Sequence, residues 1–412
     1  MRKSLTAVVA IAVLAAAQPA AADTVSDWWE FANRTTPSQG ARGGLEGERA
    51  LTRVALAMFE ALNAIDRRYE SYLGLSAGDP DASQDAATAS AVYAVLLHHF
   101  PAKKAELDES YAIAMGAVSD SRAREAGRLI GAQAAAAVLA RPLLDPTVAA
   151  PPYRPLTAPG QWVPTAQPSI DSSWATLRPW AAGNTAEALR PPPPPALNSA
   201  RWAKDYEEVR RLGGRTSTER TAEQTLTARL RQGPDLAPSL RLIADLPGRR
   251  PVQNARMFAL LQMAFDDSVA AMGVAKVHYD FWRPITAIRN GDQDGNDATR
   301  PDAAWVPLLG TPNFAEYPCG HCTVAASQAE VLKAETGARP SFGVRSISQT
   351  SPDAVVQVVA SWDQWAQEVS DGRMYGGVHY RFSNEAGEQI GRRAALNVMG
   401  TLLRPLPAPP AR

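Results

Sequence analysis

The feature that most restricts the fold is the spacing of apolar residues, which recur every three or four positions in one segment after another. Val54, Met58, Ala61, Leu62 and Ile65 form one such set, Val92, Val95, Leu96 and Phe100 a second, and Phe258, Leu261, Phe265 and Val269 a third. This is the period of helices that bury one face against each other. The same reading predicts helices near residues 120–140, 203–212, 220–231, 322–335, 353–369 and 385–402, while alternating runs long enough for a buried sheet are missing. The expected fold is all-α, built from helix bundles. A chain of 412 residues can bury such a core without covalent staples, and its two Cys could not supply a disulfide scaffold.

The front of the chain has a different character. Arg2 and Lys3 precede the apolar run Leu5 to Ala17, and Ala20, Ala21 and Ala22 stand before Asp23, so residues 1–22 read as a cleaved signal peptide. The expectation is a secreted or periplasmic protein whose residues 23–412 form a single catalytic domain. The apolar run is too short for a hydrocarbon core of roughly 30 Å, and no later stretch is expected to span one either. With 42 Lys+Arg against 42 Asp+Glu, the chain has no general attraction to nucleic acid or an anionic bilayer. Between about residues 141 and 200 the composition turns to Pro, Trp and small polar residues, ending in Pro191 to Pro195. A run of five prolines is extended and cannot continue a helix. Trp162, Trp174 and Trp180 would be costly to leave in water, so this connection is expected to lie against the helical body.

The chemistry gathers between residues 273 and 381, which hold three of the five His and both Cys. Lys276 and Arg283 are seven residues apart, on one face if the helix continues to Trp282, and Pro284 sets the guanidinium at a helix end. Pro318-Cys319-Gly320-His321 stands where a helix should begin; free N–H groups and the positive dipole there favour an anion, and Gly320 lets it approach closely. Arg373 and His379 lie on a Gly-rich stretch, read as a loop ahead of a helix capped by Asn384. One Lys, two Arg, a helix N-terminus and two imidazoles are equipment for holding a tetrahedral oxyanion and doing chemistry on it.

Lys276 to Pro284, Pro318 to His321 and Arg373 to His379 resemble the signature K-x6-RP, PSGH and SR-x5-H of the type 2 phosphatidic acid phosphatase and vanadium haloperoxidase superfamily. The likeness to the bacterial haloperoxidase branch extends to Arg190 through Leu197, Arg220-Thr221 with Glu223-Gln224-Thr225, Phe281 to Pro284, and His379 to Phe382, and covers most of residues 45–400. The resemblance implies that Lys276, Arg283, Arg373, Cys319 and Gly320 bind vanadate or phosphate. It implies that His379 bonds to vanadium, or in a phosphatase becomes phosphohistidine, and that His321 is the acid/base. Vanadate would be the cofactor of a peroxidase acting on hydrogen peroxide and a halide; a phosphatase would need none and would take a phosphate ester. The chain departs from the pattern at Cys319 and Gly372, where the signature has Ser, and at Gly273, where the haloperoxidases usually place a Trp. Phe314 keeps the aromatic five residues before the PSGH serine. Asp235 is the nearest match to the carboxylate that orients the acid/base His, displaced by one residue.

Three other readings compete. Cys319-Gly-His-Cys322 is also the C-x-x-C of a thiol-disulfide oxidoreductase, but the strand and βαβ context of such enzymes is missing and the cations are left unexplained. Zinc through these Cys and two His is weaker still. Asp292 to Asp297 reads as a solvated acidic loop rather than a calcium site, because position twelve is Ala303. A Cys319–Cys322 disulfide is expected, since an enzyme that makes an oxidant would attack a free thiol in its own pocket.

Overall fold

The computed structural model describes residues 23–36, 44–142, 156–165, 174, 176–348 and 356–407. Within them the N-terminal helices are α1 (Thr24–Thr35), α2 (Gly44–Ile65), α3 (Gln84–His99), α4 (Lys104–Ala117) and α5 (Ser121–Leu139). The short α6 (Ala186–Leu189), α7 (Ala200–Leu212), α8 (Ala222–Leu230) and α9 (Ala237–Ala244) lead to the long α10 (Pro251–Tyr279). Then come α11 (Pro284–Arg289), α12 (Gly320–Thr336), α13 (Trp362–Tyr375) and α14 (Arg381–Thr401). The all-α expectation holds. Local chemistry sets the starts: Ser83, Asp120, Ser199 and Ser361 each accept from a backbone N–H in the first turn, and Thr221 with Gln224 closes a capping box.

The small sheet was not expected. Strands β1 (Pro234–Asp235), β2 (Val344–Ser348) and β3 (Val356–Val359) pair antiparallel in that order, with Val344 opposite Val359. Of the helix read over 353–369, residues 353–355 lie outside the described residues and the rest is a strand followed by the start of α13, because Val356, Val358 and Val359 are β-branched and Ser361 caps a new helix.

Two helix pairs share one packing device. A Cβ added to Gly127 or Gly131 on α5 would lie 2.3 or 2.2 Å from the carbonyl oxygens of Ser83, the N-cap of α3, and Ala87 in its first turn. One added to Gly387 or Gly391 on α14 would lie 2.4 or 2.1 Å from those of Cys319 and Thr323 at the start of α12. Only glycine permits such an approach of helix to backbone. The sequence shows no repeat, yet the fold uses this Gly-x-x-x-Gly contact twice, and in the second case it fixes the helix start that carries Cys319 and Gly320. Central α10 packs against α2, α12 and α14 and joins the two groups. It is also long and apolar enough to cross a bilayer, contrary to the expectation for later stretches, but most of that stretch is buried inside the protein.

The described part of the connection lies on the body, as expected. Trp180 N–H and Ala181 N–H donate to Asp267 on α10, and the Trp180 indole donates to Asp266 at 2.7 Å. Trp162 N–H donates to Asp280 O, and the hydroxyls of Tyr279 and Tyr317 donate to the carbonyls of Pro191 and Pro192, each at 2.6 Å. The acidic loop is solvated at Asp292 and Asp297, as read, but Asp294 is buried and accepts from the Trp202 indole at 2.7 Å. Trp202 in turn packs on Tyr206, Phe281, Trp282 and Tyr380, an aromatic cluster that includes the chain neighbours of Arg283 and His379. Residues 1–22, read as a signal peptide, lie outside the described residues.

Candidate functional site

Lys276, Arg283, Arg373 and His379 reach one another from four different places. Lys276 is in the last turn of α10, which ends at Tyr279 and not at Trp282, because Asp280 takes a left-handed conformation (φ 42°) as its C-cap. Arg283 is the N-cap of α11, as Pro284 implied, so a chain reversal and not a shared helix face brings the two cations together. They meet on Phe314, whose ring centre lies 5.1 Å from Lys276 Nζ and 4.8 Å from Arg283 Cζ. Arg373 is in the last turn of α13 rather than on a loop. His379 sits in the short link to α14, whose N-cap is Tyr380; Asn384 is inside that helix and donates to Ser370 O across to α13.

The cations are held with donors to spare. Arg283 is fully buried; Nε donates to Phe314 O, Nη1 to Val378 O, and Nη1 also faces His379 Nε2 at 3.1 Å. Its Nη2 and the Nε of buried Arg373 have no hydrogen-bond partner among the described residues. Burial lowers both guanidinium pKa values, Arg283 to about 9 and Arg373 to about 10. Lys276 Nζ donates to the carbonyls of Ala315, Glu316 and Pro318, tying down the chain that enters α12. Burial and the neighbouring Arg283 press its pKa well below the usual lysine range. Buried donors aimed at nothing are costly, and a bound oxyanion is the group that would satisfy them.

Sequence reasoning missed Glu316. Its carboxylate is fully buried, and Oε1 lies 2.6 Å from His379 Nδ1 and accepts from Tyr380 N–H at 3.2 Å. The signal was available: an acid inside the apolar stretch Phe314-Ala-Glu-Tyr-Pro needs a buried partner. Burial raises its pKa to about 7 against the pull of Arg283 and Lys276, whereas burial and the three cations hold His379 well below the usual imidazole value. Three cations and one carboxylate leave a surplus of two positive charges when all are ionised, the complement of a dianion such as hydrogen phosphate.

The other wall is the start of α12. Cys319 is its N-cap, with Sγ accepting from Cys322 N–H, and Cys319 and Cys322 form the expected disulfide. Both are fully buried and neither is a free thiol, which works against thiol-disulfide exchange with an outside partner and against zinc ligation. A Cβ on Gly320 would meet only the tip of Met272. His321 Nε2 lies 3.0 Å from the Gln232 carbonyl oxygen, so Nε2 carries the proton and Nδ1 the lone pair. Arg373 and burial lower its pKa to about 3. Asp235 does not orient it: that carboxylate accepts from Ala237 N–H, and a backbone carbonyl three residues earlier takes the role.

Two departures have structural reasons. Gly372 packs on α8, where a Cβ would lie 3.2 Å from Thr227 O. Gly273 leaves room for Trp174 of the connection, whose Cβ lies 2.6 Å from where a Gly273 Cβ would be and whose ring packs edge-on against Phe314 at 5.3 Å.

Residues 256–406 match the family model described as the VCPO second helical-bundle domain. Among solved structures, a bacterial vanadium-dependent iodoperoxidase superposes with a TM-score of 0.71 at 21% identity, over 93% of this chain and 96% of that one. A bacterial vanadium-dependent chloroperoxidase in its holo form gives 0.71 at 15% identity, over 88% and 92% of the two chains. An apo form of such an enzyme gives 0.65 at 14%, over 93% and 94%. No curated protein sequence matches. The resemblance to the vanadium haloperoxidase superfamily is borne out, by the family model over the C-terminal bundle and by the fold over most of the chain.

Proposed function

We propose that this chain, built on the vanadium haloperoxidase fold and carrying the second-bundle domain of that family, is a haloperoxidase-like enzyme that holds vanadate and oxidises a halide with hydrogen peroxide. The observation that carries the reading is the pair of buried guanidinium atoms without a partner among the described residues, Arg283 Nη2 and Arg373 Nε, near His379. A tetrahedral oxyanion fits this donor set. Arg283 and Arg373 would hold its oxygens with the free N–H groups at the start of α12, and Lys276 would add charge from behind the chain it anchors. His379 Nε2 presents a lone pair to the cations, so it is the atom to bond the anion's centre. Vanadate bound there would supply Lewis-acid activation of peroxide for two-electron oxidation of a halide.

His321 is the proton handler. Its Nδ1 carries the lone pair, and beside the buried cations the ring stays neutral; a bound dianion offsets that charge and raises its basicity. The disulfide removes a thiol that the oxidant would attack, and such a bridge suits the secreted or periplasmic location proposed from residues 1–22. The same lone pair on His379 also fits a phosphatase in which Nε2 takes a phosphoryl group from an ester, with His321 protonating the leaving oxygen. Purified protein freed of vanadate and assayed with and without it separates the two. Activation of peroxide-dependent halide oxidation supports the peroxidase; inhibition of phosphate-ester hydrolysis supports the phosphatase; no response to vanadate in either assay contradicts both.

A further inference from the structure

We propose that Glu316 is the positioning residue that selects the tautomer of His379 and so decides that Nε2 is the reacting nitrogen. The inference rests on the reading of His379 as the group that bonds the oxyanion, and deepens it. Both ring nitrogens have a partner. Arg283 has only donors, so at 3.1 Å His379 Nε2 is the acceptor of the pair. Glu316 Oε1 lies 2.6 Å from Nδ1, and a carboxylate only accepts, so Nδ1 carries the hydrogen. The opposite tautomer would point an N–H at a guanidinium and leave Nδ1 facing a carboxylate, two mismatches among buried groups.

The placement of Glu316 is itself fixed at three points. Oε1 also accepts the N–H of Tyr380, the residue after His379, so one carboxylate oxygen holds both the ring and its backbone. The main-chain carbonyl of Glu316 accepts from Lys276 Nζ at 2.8 Å. The aromatic packing of Tyr380 on Trp202 and Phe382 prevents the link from drifting away. Glu316 never touches the anion side of the ring; it acts through His379.

A charge-balancing role for Glu316 makes a different prediction from a positioning role. Glu316→Gln removes the charge but keeps an oxygen that can accept from both Nδ1–H and Tyr380 N–H, whereas Glu316→Leu removes both. If Glu316 only balances the cations, the two variants should behave alike. If it selects the tautomer, Gln should rescue and Leu should not.

Two-bond proton–nitrogen correlation spectra of protein labelled with 15N-histidine read the tautomer directly; there are five His, and a His379→Asn variant assigns the signal. The result expected is the Nδ1–H tautomer in the parent and in Glu316→Gln, and its loss in Glu316→Leu. Titration calorimetry with inorganic phosphate should give affinities within about three-fold for the parent and Glu316→Gln, and at least about ten-fold weaker for Glu316→Leu. An Nε2–H or doubly protonated His379 in the folded parent overturns the proposal, and that measurement needs no Glu316 variant to fold. Equal losses in Gln and Leu also overturn it, in favour of charge balance. A parent with the Nδ1–H tautomer that binds no phosphate would leave the tautomer assignment standing and sink the reading of the site.

Discussion

Arg283→Lys keeps the charge and changes only its geometry, which makes it a sharp probe of the site. In the parent, one guanidinium serves Phe314 O through Nε, Val378 O and His379 Nε2 through Nη1, and keeps Nη2 for the anion. A single ammonium nitrogen cannot stand at all of these points. With Nζ drawn to the anion, the buried carbonyls of Phe314 and Val378 lose their donor, at about 1 to 3 kcal/mol each before relaxation. With Nζ drawn to the carbonyls, a charge-assisted contact to the anion is lost, worth about 2 kcal/mol, or roughly thirty-fold in affinity. The variant should therefore bind inorganic phosphate about ten- to a hundred-fold more weakly, or unfold about 2 kcal/mol more easily, or show part of each. Calorimetric titration with phosphate and vanadate, paired with urea unfolding of the same preparation, measures both. An affinity within two-fold of the parent together with an unchanged unfolding midpoint would refute the geometric reasoning.

Other consequences follow from the same geometry. Replacing Cys319 by Ser together with Cys322 by Ala restores a hydroxyl donor at the start of α12, and phosphate affinity in calorimetry should hold or rise by up to about five-fold; a ten-fold loss would show that the bridge itself shapes the site. Gly391→Ala places a methyl 2.1 Å from Thr323 O, backbone that cannot give way, so α12 and α14 must separate. Urea unfolding should show a loss of about 1 to 3 kcal/mol, and phosphate affinity should fall as the helix start shifts; parental stability would contradict the close-packing account. Glu48 has a folded pKa raised to about 7 by burial and by Asp266, above its ordinary value of 4.5. A raised carboxyl pKa contributes most below the unfolded value and loses its contribution as pH rises through the folded one. Glu48→Gln should therefore gain stability relative to the parent as pH goes from about 4.5 to 7; a difference that is flat with pH would remove the buried-acid assignment.

Much of the fold was legible because helical periodicity and capping are local. The extents read near 120–140, 203–212 and 220–231 fall close to α5, α7 and α8, whose caps the structure shows to be Asp120, Ser199 and Thr221. The motif residues were legible as a set because Lys276, Arg283, Gly320, His321, Arg373 and His379 each stand beside a Pro or Gly or at a motif spacing. Their supports were not. Asp280 takes an αL cap that no local pattern announces, so α10 stops three residues early and the relation of Lys276 to Arg283 is tertiary. Glu316 contacts His379 across 63 positions of sequence, and the Gln232 carbonyl that holds His321 comes from the backbone, where side-chain identity carries no message. Gly273 shows the same limit. A missing indole reads as a loss until the structure brings Trp174 from the connection to the same place.

The central claim is that the buried cations and His379 form one oxyanion site, and vanadate titration of the metal-free protein tests it most directly. Isothermal calorimetry should find one vanadate per chain, competed by inorganic phosphate. In His379→Ala, which keeps the cations but removes the bonding nitrogen, affinity should fall by at least about a hundred-fold, or nearly 3 kcal/mol. Binding of equal strength in His379→Ala, or no binding of either anion by the parent, would contradict the account.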